Sequence, residues 1–223
     1  LWRDDVSGRL MFNALRRAAD RGVRVRVLLD DGNTAGQDAL LAWIDAHPGI
    51  EVRLFNPFVQ RRYRALGYLS DFRRLNRRMH NKSLTVDGQA TIVGGRNIGD
   101  EYFDATDASV FADLDVLAIG PITAEVSRDF DRYWSSASAY PLDRIVGAPD
   151  PQELARAAAD VAAVDADPGV GRYREAIGRA RFLQELLDGR VALQWARTRM
   201  VSDDPAKAMQ RRTPPDALSK RLE

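Results

Sequence analysis

One short segment of this chain restricts its fold and its chemistry more than any other. His80 and Lys82 stand two residues apart and lead into Ser83-Leu84-Thr85-Val86, a run that suits a β-strand. In an extended segment, residues i and i+2 point to the same face, so the spacing predicts that the imidazole and the ammonium lie side by side. An imidazole can attack phosphorus, and a fixed ammonium can neutralise the oxygens that gain charge in the attack. The segment therefore predicts a strand that opens with a site for phosphoryl chemistry.

The residues after this strand predict a hairpin. Asp87-Gly88 favours a tight turn, and residues 90–93 suit the returning strand. Gly94-Gly95-Arg96-Asn97 follows directly. Its two glycines either offer backbone amides to a phosphate or only permit a close approach of two backbones.

The first 147 residues alternate between helical and strand periodicity. The helical patterns cover residues 6–21, 39–46 and 122–135, and the strand patterns cover residues 23–30, 50–55 and 114–119. Strands that follow helices at this spacing favour α/β layering with parallel neighbours, and the hairpin makes the sheet mixed. The predicted fold class is α/β, with a mixed, mostly parallel sheet.

Proline-containing breaks near residues 140 and 150 divide the chain. We predict three parts: an α/β unit over residues 1–147, a helical linker over 148–190, and a last part over 191–223. The linker carries helical patterns at 154–164 and 173–187. The last part suits a strand at 191–195 and ends in a basic, proline-containing tail.

The composition sets broader limits. The chain has 223 residues, enough to bury a core, and a net charge of +1 that favours no particular partner. The absence of cysteine excludes disulfides, thiolate zinc sites and a cysteine nucleophile. No apolar run approaches the length of a membrane span. Because Leu1 falls within a pattern that leads straight into a helix, we expect a fragment of a longer protein.

Local charge is more informative than the total. Residues 61–82 hold eight basic side chains and one acid, whereas residues 100–115 hold six acids and no base. The basic stretch leads directly into the His80 segment, so an anionic substrate would approach it through positive potential. Its interleaved aromatic and apolar residues also suit a lipid headgroup interface. The plainer alternative is an arginine-rich solvated surface.

Several other polar residues have structural readings that compete with functional ones. Asp30 and Asp31 follow a strand, where α/β sites form, yet a turn explains them equally well. His47 precedes Pro48-Gly49 and reads as a helix-end residue rather than a catalytic one. The acids at 100, 101, 104 and 107 fit a solvated loop better than a cation site.

The motif and three longer runs resemble a known family. His80-x-Lys82-x4-Asp87, followed by six residues and Gly94-Gly95-x-Asn97, resembles the signature of the phospholipase D superfamily. In addition to residues 28–31 and 94–103, the three longer runs 52–57, 76–82 and 111–121 are similar to the bacterial cardiolipin synthases that lack transmembrane helices. Members of that family carry two motifs that meet at one active site. The resemblance implies an α-β-α sandwich in which this chain forms one half of a two-half fold, with a helical C-terminal extension.

This chain departs from that pattern because it cannot hold a second motif. Its only other histidine is His47, and no lysine follows two residues later. Either the second half lies beyond a truncated C-terminus, with residues 191–223 as its start, or two chains pair to complete the site. We favour truncation.

The resemblance assigns roles to individual residues. It implies that His80 forms a covalent phosphatidyl-histidine, with Lys82 and Asn97 on the non-bridging phosphate oxygens. Asp115 is the candidate that orients the imidazole, and Asp87 supports the motif through the turn. The candidate substrate-binding residues are Arg78, Gly94, Gly95 and Arg96. No metal or other cofactor is expected, since lysine fills the cationic role.

Three functions are consistent with these residues. The first is a phosphatidyltransferase that acts on phosphatidylglycerol, located peripherally on the bacterial cytoplasmic membrane. The second is a phospholipase D or a nuclease of the same superfamily that assembles as a dimer. The third is an inactive fragment that binds anionic surfaces. The favoured partners are a phospholipid, an anionic membrane surface and the second motif half, and no nucleic acid is expected.

Overall fold

Six strands form two three-stranded sheets in the computed structural model, which describes residues 1–61, 63–103 and 113–209. The strands are β1 (Val25–Asp30), β2 (Ile50–Phe55), β3 (Ser83–Val86), β4 (Ala90–Gly94), β5 (Asp115–Ile119) and β6 (Ala139–Pro141). The described helices are α1 (Val6–Asp20), α2 (Asp38–Asp45), α3 (Arg64–Leu75), α4 (Pro121–Trp134), α5 (Asp143–Val146), α6 (Pro151–Ala166), α7 (Pro168–Gly178) and α8 (Arg181–Leu187).

The first sheet has the order β1-β2-β6 and carries the main core. β1 and β2 are parallel, with Val25 opposite Ile50, and β6 is antiparallel to β2. Both parallel strands end in consecutive buried residues, as expected for strands that are covered on both faces. The cluster they build is completed by helices α1, α2 and α6.

The second sheet has the order β3-β4-β5 and is antiparallel throughout. Its hairpin turns at Asp87 and Gly88, whose φ angles are 52° and 64°, and Gln89 N donates to Val86 O at 2.9 Å. Two consecutive positive φ angles define a type I′ turn, for which Asp-Gly is a favoured pair. The predicted strand-turn-strand is confirmed.

The α/β class and its mixed pairing are confirmed, but parallel pairing is rarer than predicted. Among the named strands of the described residues, β1–β2 is the parallel pair and the other three pairings are antiparallel. The hairpin accounts for this difference, because β5 adds antiparallel to β4 instead of crossing over to lie beside β1.

The C-terminal half differs from its predicted pattern at two places. The helical pattern over 173–187 is broken at Ala180, whose ψ of 128° is extended, so it spans the end of α7 and all of α8. Residues 191–195 form no strand and run irregularly. The predicted boundary at residue 147 does not coincide with a gap in packing, since Val161 of α6 is buried in the main core. The division into three domains stays a prediction, and residues 210–223 lie outside the described part.

Candidate active site

The side chains of His80 and Lys82 meet, as their spacing predicts. Lys82 Nζ lies 2.9 Å from His80 Nδ1 and also donates to the backbone carbonyl of His80 at 2.9 Å. His80 is exposed and Lys82 is half-buried. The imidazole and the ammonium therefore form one accessible pair.

The backbone before β3 turns this pair outwards. Residues 77–82 lie between α3 and β3 without regular structure. Met79 packs against the small cluster of Phe55 and Tyr133, and Asn81 Nδ2 donates to Asp129 Oδ2 at 3.2 Å. Because neighbouring residues of an extended segment alternate in direction, anchoring residues 79 and 81 leaves the side chains of residues 80 and 82 to meet each other.

The electrostatics of the pair favour a nucleophilic imidazole. The nearby Lys82 charge, followed by partial burial, lowers the pKa of His80 below its usual 6.5, against an opposing effect of Asp30. Burial lowers the pKa of Lys82, while Asp113 and Asp30 raise it. A lowered pKa keeps the imidazole neutral near pH 7, and only the neutral ring has a lone pair for attack.

The lysine also selects a tautomer of the histidine. An ammonium donates hydrogen bonds and accepts none, so Nδ1 accepts from Lys82 and the ring proton lies on Nε2. Attack by Nε2 therefore requires the ring proton to move to Nδ1 and the ammonium to leave it.

Asp30 binds the backbone of the residue just before His80, a role that the sequence left open. Its carboxylate is 8% exposed and accepts from Met79 N at 2.7 Å, Gly32 N at 2.8 Å and Arg78 Nη1 at 3.2 Å. Burial raises the pKa of this carboxyl, against the lowering effects of Arg78 and the two backbone donors. Asp30 thus joins the end of β1 to the residue before His80. Its signal in the sequence was its place at the carboxyl end of a parallel strand.

Asp31 is fully buried and serves the fold around the site. It accepts from Phe58 N at 2.7 Å, from Arg61 Nη1 at 2.5 Å and from Arg64 Nη2 at 3.2 Å. A buried carboxylate needs such partners, and removing one side of the group would leave uncompensated charge. Asp31 therefore fixes the loop that leads into α3.

The structure pairs Asp115 with Arg96 rather than with His80, so its predicted role in orienting the imidazole stays a prediction. Its Oδ2 accepts from Arg96 Nε at 2.6 Å, and its Oδ1 accepts from Arg96 N at 3.4 Å. Arg96 also donates to the carbonyl of Tyr102 and lies over the Phe103 ring. Arg96, which follows the two glycines, is the cation that Asp115 contacts, so these two side chains form an ion pair with each other. The charge that reaches the motif comes from Asp30 and Asp113 instead.

Gly94 and Gly95 allow β4 and β5 to approach closely. A Cβ on Gly94 would lie 1.9 Å from Asp115 Oδ1, and one on Gly95 would lie 2.0 Å from Asp113 Oδ1. Their amides donate to the carbonyls of Lys82 and Leu114, both at 3.3 Å. Of the two predicted readings, this geometry favours close approach over phosphate binding.

The remaining predicted site residues have other partners or positions than the His80–Lys82 pair. Asn97 Nδ2 donates to the Tyr102 hydroxyl at 2.7 Å. Arg78 pairs with Asp30 and lies over the Phe58 ring at 5.0 Å. Asp87 is exposed in the hairpin turn, at the opposite end of β3 from Lys82, so the structure does not bring it to the imidazole.

A cavity of about 540 Å³ adjoins the motif, and a distant part of the chain forms one of its walls. We call residues 200–208 the C-terminal segment. Arg77 Nη1 donates to Lys207 O at 2.9 Å, and the Tyr133 hydroxyl donates to Asp203 O at 3.0 Å. Burial raises the pKa of Tyr133 to about 12, so it remains a donor. Pro205 and Ala208 of the segment are buried, and Ala208 packs with Phe55.

The other candidate groups have structural roles. His47 Nδ1 accepts from Gly49 N at 3.0 Å and its Nε2 faces Asp20, as expected of a helix-end residue. Asp100 accepts from Ser7 N at the start of α1, and Glu101 pairs with Arg3. Asp104 and Asp107 lie outside the described residues. No cluster of metal-binding side chains occurs in the described part of the chain, where every helix is also too short or too polar to cross a bilayer.

Comparison with known proteins places this geometry in a family. The chain is 54% identical over 207 residues to cardiolipin synthase C of Escherichia coli K12, covering 93% of this chain and 44% of that relative. It is 39% identical over 144 residues to an uncharacterized protein of Helicobacter pylori 26695, covering 64% and 29%. It is 32% identical over 168 residues to cardiolipin synthase A of Pseudomonas putida GB-1, covering 74% and 33%.

This chain thus spans less than half the length of these curated relatives. No solved structure matches it. Residues 5–134 match the family model described as cardiolipin synthase, PLD-like domain. The matched range includes the motif, strands β1 to β5 and helices α1 to α4. The chain therefore belongs to the family of cardiolipin synthase PLD-like domains.

Proposed function

We propose that the protein is a phosphatidyltransferase of cardiolipin synthase type, acting on phosphatidylglycerol through a phosphatidyl group bound covalently to His80. The observation that carries the proposal is the accessible imidazole, kept neutral by the adjacent Lys82 at 2.9 Å. The printed names of two relatives, cardiolipin synthases C and A, support the choice of reaction.

In the first step, His80 Nε2 forms a bond to the phosphodiester phosphorus and the bond to one glycerol oxygen breaks. The departing alcohol takes a proton from a general acid. In the second step, the hydroxyl of another phospholipid attacks the phosphorus, gives its proton to the same group, and releases the imidazole. Each step exchanges one phosphorus bond for another, so no further reactant is needed.

Lys82 stabilises the charge that develops on the phosphoryl oxygens. Its long, flexible stem lets the ammonium move from His80 Nδ1 to a bound phosphate. That movement frees Nδ1 to carry the ring proton, so substrate binding and selection of the reactive tautomer are coupled. Asn97 is proposed to hold a second phosphoryl oxygen. Asp30 or Asp113 provides the negative charge that stabilises the imidazolium form.

The general acid is proposed to be the histidine of a second motif, supplied by a further part of the protein or by a second chain. The lengths of the relatives support the first source, since this chain spans 44% of cardiolipin synthase C. Because the proposed substrates are lipids, the site is proposed to work at an anionic membrane surface, peripherally on the cytoplasmic membrane.

The test uses the full-length gene product with radiolabelled phosphatidylglycerol in vesicles, and with plasmid DNA in parallel. His80→Ala should abolish lipid turnover and the acid-labile phosphoprotein, and His47→Ala is the matched control that should retain both. Retained turnover in His80→Ala would place the nucleophile elsewhere. DNA cleavage without lipid turnover would replace the proposal by the nuclease alternative.

A further inference from the structure

Helix α3 and the residues just before it carry large apolar side chains that are more than half exposed. Leu66, Leu69 and Phe72 are 56%, 85% and 59% exposed, and Val59 and Tyr63 just before the helix are 87% and 58% exposed. Buried apolar residues normally anchor a surface helix. Among the α3 side chains that the structure describes, Leu75 in the last turn is the large apolar one that is fully buried. Several large exposed apolar side chains within one short stretch of chain are typical of an interaction site.

The helix is nevertheless held firmly in place. Asn56 Nδ2 donates to the carbonyls of Arg74 and Arg77, both at 2.8 Å, and so ties the end of the helix to the end of β2. Arg64 at its start donates to the Asp31 carbonyl at 2.6 Å. A Cβ on Gly67 would lie 3.3 Å from the Phe58 ring, so the middle of the helix rests on that side chain. These contacts attach both ends and the middle of α3 to the fold, although the helix is kinked at Asp71, where φ is −144° and ψ is 41°.

Cations without a carboxylate ion pair occur in this helix, just after it, and in the His80–Lys82 pair. Most cations of the region have a carboxylate partner, such as Asp31 for Arg61 and Asp71 for Arg74. Within the described residues, three cations of this stretch have no ion pair with a carboxylate: Arg73, Arg77 and Lys82. Positive charge beside an exposed apolar surface complements an anionic lipid bilayer, which offers both acyl chains and negative headgroups.

The position of α3 relative to His80 fits the same partner. Four residues separate Leu75 from His80, and a chain of that length spans at most about 17 Å, less than the thickness of one bilayer. A helix lying in the headgroup region would thus keep the imidazole within reach of the membrane surface. The core of a protein–protein interface is instead depleted of charge.

We infer that α3, with Val59 and Tyr63, is the surface that docks the protein on an anionic lipid bilayer and brings His80 to the headgroups. This inference rests on the proposed function for its choice of a lipid partner. Leu66 and Leu69, one helical turn apart, would enter the acyl boundary, while Arg73 would meet the headgroup phosphates.

The test measures sedimentation of the protein with vesicles of phosphatidylcholine alone and of an equal mixture with phosphatidylglycerol. Leu69→Glu should weaken binding to the mixed vesicles by about tenfold or more, because it places a carboxylate among acyl chains and anionic headgroups. Leu187→Glu on α8 is the matched control, since Leu187 is 72% exposed and the charge change is identical. It should change binding by less than about twofold.

Equal binding of Leu69→Glu and Leu187→Glu would overturn the inference. So would a wild-type dimer that Leu69→Glu dissociates while neither protein binds vesicles, since a second copy would then cover the helix. Circular dichroism confirms that both variants are folded.

A second measurement separates this inference from the proposed function. Turnover of monomeric short-chain phosphatidylglycerol by the full-length protein should be equal in wild type and Leu69→Glu. Absence of any turnover, together with vesicle binding that depends on Leu69, would reject the proposed function and leave the docking surface standing. Loss of monomer turnover in Leu69→Glu alone would show that the residue acts on the site itself, and would overturn the docking role.

Discussion

The two sheets of this protein differ in what they bury. In the first sheet, Val27, Leu29, Val52 and Leu54 are all buried, and helices cover them. In the second sheet, Thr91 is the buried residue, and apolar side chains remain exposed on all three strands: Leu84, Val86, Ile92, Val116 and Ile119. The first sheet supplies the stability of the fold. The second sheet leads out of the motif and has little core of its own.

This difference separates stability from chemistry along the chain. The residues that hold the site in place, Asp30 and Asp31, belong to the end of the first sheet. The side chains that are proposed to react lie just before the second sheet, where few contacts restrict them. Shortening an exposed side chain of the second sheet, or of the residues just before it, should therefore cost little in folding.

The largest expected effect is on the first core. Phe12 is fully buried and stacks on Trp2 at 4.2 Å, so Phe12→Ala should lower the free energy of unfolding by about 3–5 kcal/mol. Val86→Ala in the second sheet removes a side chain that is 52% exposed and should cost less than about 1 kcal/mol. Urea denaturation measures both, and equal losses would contradict the contrast between the sheets.

A smaller effect is expected where β4 meets β5. Gly94→Ala places a methyl group within 1.9 Å of a carboxylate oxygen and should destabilise the protein by about 1–3 kcal/mol. Gly171→Ala in α7 meets open space and should stabilise it by about 0.5–1 kcal/mol through helix propensity. Thermal unfolding of the two variants should shift in opposite directions, and a stable Gly94→Ala protein would mean that the strands can separate freely.

Lys82→Ala should alter the site while leaving the fold intact. Since the lysine charge is the largest cause that lowers the pKa of His80, its removal should raise that pKa, as measured by NMR titration of the ring protons. With a folded pKa below 6.5, the unfolded chain binds the proton more readily, so the wild type loses stability as the pH falls through 6.5, and Lys82→Ala should lose less. An unchanged titration would show that the two groups do not interact in solution.

The smallest effect separates Asp30 from Asp115. Asp30→Asn removes a charge that raises the pKa of His80, so that pKa should fall further. Asp115→Asn should leave the His80 titration unchanged, because that carboxylate pairs with Arg96. A shift in the second variant but not in the first would restore Asp115 as the acid that orients the imidazole.

What the sequence predicted correctly is what local geometry determines. The meeting of His80 and Lys82, the Asp87-Gly88 turn and the bounds of β2 depend on spacing and on backbone preferences within a few residues. The contact between Asp115 and Arg96 was not predicted, because an acid pairs with a nearby cation in space and Arg96 comes near only when β4 and β5 align. The role of Asp30 was left open for the same reason, since the residue that it holds, Met79, lies 49 positions away.

The C-terminal segment forms part of the cavity beside the motif, although it lies outside the part of the chain that carries the family signature. The family match ends at residue 134, whereas one wall of the cavity comes from residues 200–208, attached through Arg77 and Tyr133. A polypeptide that stops after α4 would retain His80 and Lys82 but would lack the residues that form this wall of the cavity. The shape of this cavity therefore depends on residues that lie more than 65 positions beyond the end of the family match.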